Sequence, residues 1–131
     1  MKPKKTQISN HWINRNVKDR FSRLAKQNKF RSRAVYKLDS INKKFKILET
    51  ARFILDIGSS PGSWLQYISQ SSKPNSTIVG IDLKDVDNIN NTTIIKGDFT
   101  SPIIWSNIEN EILLGKKFDL ICSDMAPNTS G

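Results

Sequence analysis

Four aspartates close four apolar segments of this chain: Asp56 in FILDIG, Asp82 in TIVGID, Asp98 just after TIIKG, and Asp124 just after FDLICS. An acid at the carboxyl end of a buried strand lies where an α/β sheet opens toward its ligand. The stretch DIGSSPGSW, residues 56–64, adds Gly58 and Gly62 in a turn between an apolar run and a helical one. Such a turn lets the backbone pass close to a ligand, and the helix behind it offers free N–H groups and a positive dipole end. Its G-x-x-x-G spacing departs from the G-x-G-x-x-G of dinucleotide pyrophosphate sites. Asp82 ends the second strand, where an acid can accept hydrogen bonds from both ribose hydroxyls of an adenosyl cofactor. Asp98 falls within reach of an adenine amino group. One strand-end aspartate is more often a turn or helix cap. Four delivered to one edge point to a ligand crevice.

Strands and helices in alternation must carry these acids. Strands are expected at 53–57, 77–82, 92–96 and 117–123, with helices from Pro61 to about Ser71 and over about 102–114. That alternation means parallel βαβ units. Ahead of them, Val17, Phe21 and Leu24 form a narrow apolar stripe on a helix over about 14–28. Val35, Leu38, Ile41 and Phe45 predict a second helix over 32–45, with Ser32 as its cap. Residues 1–10 read as a flexible arm. Cys122 is expected in the core, Trp105 in the core or on a helix surface, and His11 without a catalytic role.

Charge divides the chain in two. Residues 1–50 hold 15 Lys/Arg against 3 Asp/Glu, while residues 51–131 hold 6 against 9, within a net +9. A basic third joined to a slightly acidic body suits a polyanion held by one segment, although a solvated basic tail has the same composition. Arg31 and Arg33 bracket the second helix's start, where they could clamp phosphates, and Lys2, Lys4 and Lys5 extend the reach. With 131 residues and 37% apolar content, one domain is expected. No apolar run approaches the roughly 20 residues that span a bilayer. A single cysteine rules out an internal disulfide and a cysteine metal site, so no metal and an intracellular protein are expected. Cytoplasm, mitochondrion and other organelles all remain open.

The blocks RSRAVYKLD (31–39), LDIGSSPGSW (55–64), GID (80–82), GDF (97–99) and SDMAPNTSG (123–131) together resemble the FtsJ/RrmJ family of S-adenosylmethionine-dependent RNA 2′-O-methyltransferases. The likeness runs from about Trp12 to the last residue. Trp12 and the continuation KLDSI are closer to the ribosomal-RNA uridine branch than to the transfer-RNA branch. The resemblance implies a Rossmann-like class I methyltransferase fold, with strand order 3-2-1-4 for the part written here. Residues 51–131 would be the first half of the cofactor-binding domain, and residues 1–50 its basic, RNA-contacting extension. It implies that Gly62 and Trp64 line the cofactor's methionine end, that Gly58 also belongs to the cofactor site, that Asp82 meets the ribose, and that Asp98 reads the adenine. Asp124 would stand beside the sulfonium. Lys37 and Asp124 match the first two members of the family's catalytic Lys-Asp-Lys-Glu set, and Lys37 would also touch RNA with Arg31 and Arg33.

The expected activity is therefore methyl transfer from S-adenosylmethionine to a ribose 2′-OH of RNA, most simply a uridine of large-subunit ribosomal RNA, by a monomer with no membrane partner. A transfer-RNA or messenger-cap 2′-O-methyltransferase is the nearest rival. A catalytically inactive RNA- or cofactor-binding module is the rival from another class. The remaining strands and the second Lys and the Glu of the set are expected beyond Gly131, so residues 1–131 alone should be inactive.

Overall fold

The computed structural model describes residues 10–126, with side chains from Ile13 onward. Two helices come first, α1 (Asn10–Gln27) and α2 (Val35–Phe45), followed by β1 (Phe53–Ile57), α3 (Ser63–Ser71), β2 (Thr77–Asp82), β3 (Thr93–Lys96), α4 (Pro102–Asn107) and β4 (Leu120–Ser123). The four strands form one parallel sheet in the order β3-β2-β1-β4, as the sequence predicts.

Alternation along each strand feeds two cores. Ile54 and its neighbour Ile78 face one side, where they pack with Leu38, Leu48, Trp64, Leu65 and Ile68. Leu55, Val79 and Ile81 face the other, against Ile108 and Leu113. Because both faces are covered, β1 reads as an unbroken apolar run rather than an alternating one. Each fully buried Leu or Ile contributes about 1.5–3 kcal/mol.

Several boundaries differ from expectation, each for a local reason. Asn10 is the first residue of α1, and the rest of the expected arm lies outside the described residues. Within residues 13–27 only Ala25 is buried; Val17, Phe21 and Leu24 stay about 40% exposed, so the expected stripe is not a core face. Ser32 does not cap α2. That helix starts at Val35 with Ala34 at the cap position, and Ser32 Oγ instead lies 2.8 Å from Ser63 Oγ. Likewise, α3 begins at Ser63 rather than Pro61, because Gly62 holds φ 117°, outside any helix. The helix expected over 102–114 widens after Asn107 into π-helical turns over Ile108–Leu113, closed by Leu114 N–H donating to Glu109 O. This spacing lets Ile108 and Leu113, five residues apart, both reach the sheet. Finally, β4 starts at Leu120 because the Asp119 carboxylate turns back to accept the N–H groups of Arg52 and Phe53. Trp105 lies against the second core and donates its N–H to Phe99 O.

Gly62 is constrained both by its neighbours and by its backbone. A Cβ there would lie 2.6 Å from Arg31 Nη1, with φ already in the left-handed region. Gly62→Ala should therefore lower stability by about 1–3 kcal/mol. Urea unfolding of the two proteins measures this, and an unchanged midpoint would refute it.

Candidate functional site

The register sets the site. Ile57 is level with Ile81 on one side and with Ser123 on the other, so Gly58, Asp82 and Asp124 leave the sheet side by side. The turn after β1 is tied to β2: the N–H groups of Gly58 and Ser59 both donate to Ile81 O, at 2.8 and 3.1 Å. Ser60 N–H donates to Asp82 Oδ2 at 2.9 Å, and Lys84 N–H to Asp82 Oδ1 at 2.8 Å. Asp82 thus shapes two loops, with lone pairs left on both oxygens for a ligand. Gly58 lies under Met125, whose side chain a Cβ at residue 58 would overlap.

Asp124 is half-buried, and its Oδ1 accepts from Lys37 Nζ at 3.0 Å. Two residues 87 positions apart, one on α2 and one just past β4, therefore meet at the sheet edge. Trp64 is buried on α3 and donates its indole N–H to Ala34 O at 2.8 Å, which fixes the start of α2 and so the reach of Lys37. Asp98 already has partners in its own loop. Its Oδ1 accepts both the N–H and the hydroxyl of Thr100, which hold its carboxyl below the usual range; this is an Asx turn at the tip of the sheet. Its Oδ2 takes no hydrogen bond from the described residues, which leaves it for a ligand. Arg31 departs from expectation. Its guanidinium donates to the carbonyls of Pro61, Asp87 and Asn88, so it clasps the glycine turn to the loop after β2 instead of facing solvent. Arg33 is exposed, with one long contact to Ser22. Of the two arginines, Arg33 has more donors left to offer.

Sequence reasoning missed how deep Asp56 lies. It stands one residue inside the sheet, level with Gly80 and Cys122, and is 1% exposed. Its Oδ2 and the Oγ of Ser59 are buried with no partner among the described residues. Both residues line a small cavity of about 40 Å³, together with Trp64 and Asp124. Burial, then the nearby charges of Asp124 and Asp82, push the Asp56 carboxyl up to about 7. Burial and the Asp56 charge likewise push the Cys122 thiol up to about 12, consistent with a packing role. The only sequence signal for Asp56 was its place inside FILDI, one residue before the strand's end.

An open parallel sheet whose central strand leads through a glycine turn into a helix, with carboxylates at three neighbouring strand ends, is the Rossmann-like arrangement of class I methyltransferases. Comparison with known proteins narrows the class. The chain belongs to the FtsJ-like methyltransferase family, which matches residues 30–131. It is 44% identical, over 98% of its length, to the ribosomal RNA large subunit methyltransferase E of Pelagibacter ubique, covering 62% of that protein. It is 42% identical to the protein of the same name from Anaplasma phagocytophilum, over 94% of this chain and 50% of the relative. A ribosomal RNA methyltransferase from Plasmodium falciparum superposes with a TM-score of 0.68 at 37% identity, over 78% of this chain and 59% of that one. The chain thus spans between half and about three-fifths of these relatives.

The family's methyl donor is S-adenosylmethionine, and the residues present fit it. The two orphaned oxygens, one on Asp56 and one on Ser59, await hydrogen-bond partners beside the turn, and Gly58 and Gly62 add no side chains of their own to it. Three clustered carboxylates suit a ligand that carries positive charge on its sulfur and its amino group.

Two predictions follow from this geometry. Folded Asp56 holds its proton more tightly than the unfolded chain, whose value is 3.8. Its contribution to stability is complete below pH ~4 and is lost as pH rises through about 7, on the order of a few kcal/mol. Melting temperature should fall across that range in the ligand-free protein, and Asp56→Asn should remove most of the fall; parallel curves would refute the assignment. Asp82→Ala removes the acceptor for Ser60 and Lys84 N–H, so S-adenosylmethionine should bind about 1–3 kcal/mol more weakly. Equal affinities by calorimetry would contradict that.

Proposed function

We propose that this protein transfers a methyl group from S-adenosylmethionine to a ribose 2′-hydroxyl of RNA, a uridine of large-subunit ribosomal RNA, as a monomer inside the cell. The Lys37–Asp124 contact carries the reading, because it places a cation and an anion together at the mouth of the cofactor turn. The names of the relatives support ribosomal RNA as the substrate.

A ribose hydroxyl is a poor nucleophile at neutral pH. As the new carbon–oxygen bond forms, the methyl–sulfur bond breaks to leave a neutral thioether, and the hydroxyl proton is released, in the net reaction to water. When bound, S-adenosylmethionine supplies a methyl group activated by a positively charged sulfur. Asp124 offers a carboxylate to hold the hydroxyl, and Lys37 fixes that carboxylate from the α2 side, which is mainly a positioning contribution. The Lys37 side chain is 68% exposed, so it reaches solvent and any RNA that approaches α2. Its positive charge also offsets negative charge developing on the attacking oxygen. Asp56, Asp82 and Asp98 hold the donor, and Arg33 meets a phosphate of the RNA.

Radiolabelled methyl transfer to ribosomal RNA from a strain lacking the modification tests the proposal. The product should resist alkali, because a methylated 2′-oxygen cannot attack the neighbouring phosphate. Asp124→Ala should slow transfer about 10²–10⁴-fold. Lys37→Ala should slow it less and leave cofactor affinity intact. An alkali-labile, base-methylated product, or an Asp124→Ala protein of unchanged rate, would overturn the reading.

A further inference from the structure

A wide cleft lies beside the ion pair, between α1 and α2. Its volume is about 910 Å³, at the upper end of the ~300–1,000 Å³ typical of small-ligand sites. Lys37 stands in its wall, so the cleft runs up to the Lys37–Asp124 contact. Lys18, Lys26, Arg31 and Arg33 also line it, and no acidic residue does among those described. Lys37 is paired with Asp124 and Arg31 is taken up by backbone carbonyls, so Lys18, Lys26 and Arg33 are the positive charges the cleft offers to a polyanion.

Charge alone does not explain its floor. Phe21 of α1 and Tyr36 of α2 lie with ring centroids 5.4 Å apart at an interplanar angle of 34°. Both line the cleft, and Phe21 remains 40% exposed. Tyr36 is held by Asn28, whose side-chain amide donates to the phenol oxygen at 3.0 Å. The rings therefore pack against each other, and the pair forms an apolar patch under a cationic rim. Aromatic faces below phosphate-binding cations are the pattern that takes single-stranded nucleic acid, because every base has a face to stack.

We propose that this cleft binds an unstacked nucleotide next to the one that is methylated, with its base on Phe21 and Tyr36 and its phosphates on Lys18, Lys26 and Arg33. The inference rests on the RNA reading of the neighbouring site and adds a recognition element to it. It also requires the RNA to be locally single-stranded there, since a paired base cannot present its face. Lys18 and Lys26 provide attraction that any polyanion would feel. The rings provide the part that only a nucleobase would feel.

The test compares a short single-stranded oligoribonucleotide carrying a 2-aminopurine with inorganic polyphosphate and polyglutamate, on the full-length protein over a range of salt. Phe21→Leu keeps an apolar side chain at a half-exposed position and removes only the ring. It should weaken oligoribonucleotide binding about tenfold, abolish the 2-aminopurine stacking signal and leave polyphosphate binding unchanged. Phe21→Trp should restore both. Lys18→Gln with Lys26→Gln should flatten the log-affinity against log-salt slope by about 1.4 for oligoribonucleotide. Equal oligoribonucleotide affinity for Phe21→Leu and wild type would overturn the platform, while methyl transfer by the wild type would leave the proposed activity standing. Polyglutamate competing as well as oligoribonucleotide would overturn it in favour of an acidic protein partner. A stacking signal in a protein that methylates no RNA would keep the cleft and remove the proposed activity.

Discussion

Everything at the sheet edge depends on the register of β1 with its two neighbours. Ile57 is level with Ile81 and with Ser123, so the next residues of three chain segments emerge together. A slip of one residue in either pairing would turn the alternating side chains to the wrong faces, moving Leu55 and Val79 out of the core they share with Ile108. The two-sided core thus enforces the register, and the register enforces the site. Parallel strands also make this edge the common exit of all four, which antiparallel pairing would not.

That convergence has an electrostatic cost, and the fold answers it unevenly. Asp124 has Lys37 and Asp82 has two backbone N–H groups, but Asp56 is buried with one oxygen unpartnered. A neutral cavity lining would be more stable without a ligand. The strain is relieved by a cation placed among the carboxylates, so the groups that destabilise the ligand-free protein are those suited to hold a sulfonium donor. Positive charge then lies on the other side of Asp124, along α1 and α2, where the proposed RNA substrate would arrive.

The sheet could be read from the sequence because its signals are local: apolar runs of four to six residues, each closed by Gly or Asp, at βαβ spacing. Gly58, Gly62, Asp82, Asp98 and Asp124 could be placed near one edge on the same grounds, whereas Trp64 and Lys37 could be placed there by the family likeness alone. Contacts that depend on distant partners could not. Nothing in RSRA tells that Arg31 turns to three carbonyls while Arg33 stays exposed, because the acceptors of Arg31 lie 30 to 57 residues away. The same holds for Ser32, whose partner is Ser63, and for Asp119, which caps the start of β1. The stripe on α1 misled because helical periodicity reports an apolar face and not what covers it. Phe21 belongs to a cleft, not to the core.

The central claim is that Lys37 and Asp124 act as one unit on the attacking hydroxyl. A double-mutant cycle on single-turnover methyl transfer measures this most directly, using Lys37→Ala, Asp124→Asn and the combined variant. Residues that act together are strongly non-additive, so the double variant should be scarcely slower than Asp124→Asn alone. Rate losses that multiply would show that the two side chains contribute independently, and the 3.0 Å contact between them would then not be the feature that organises catalysis.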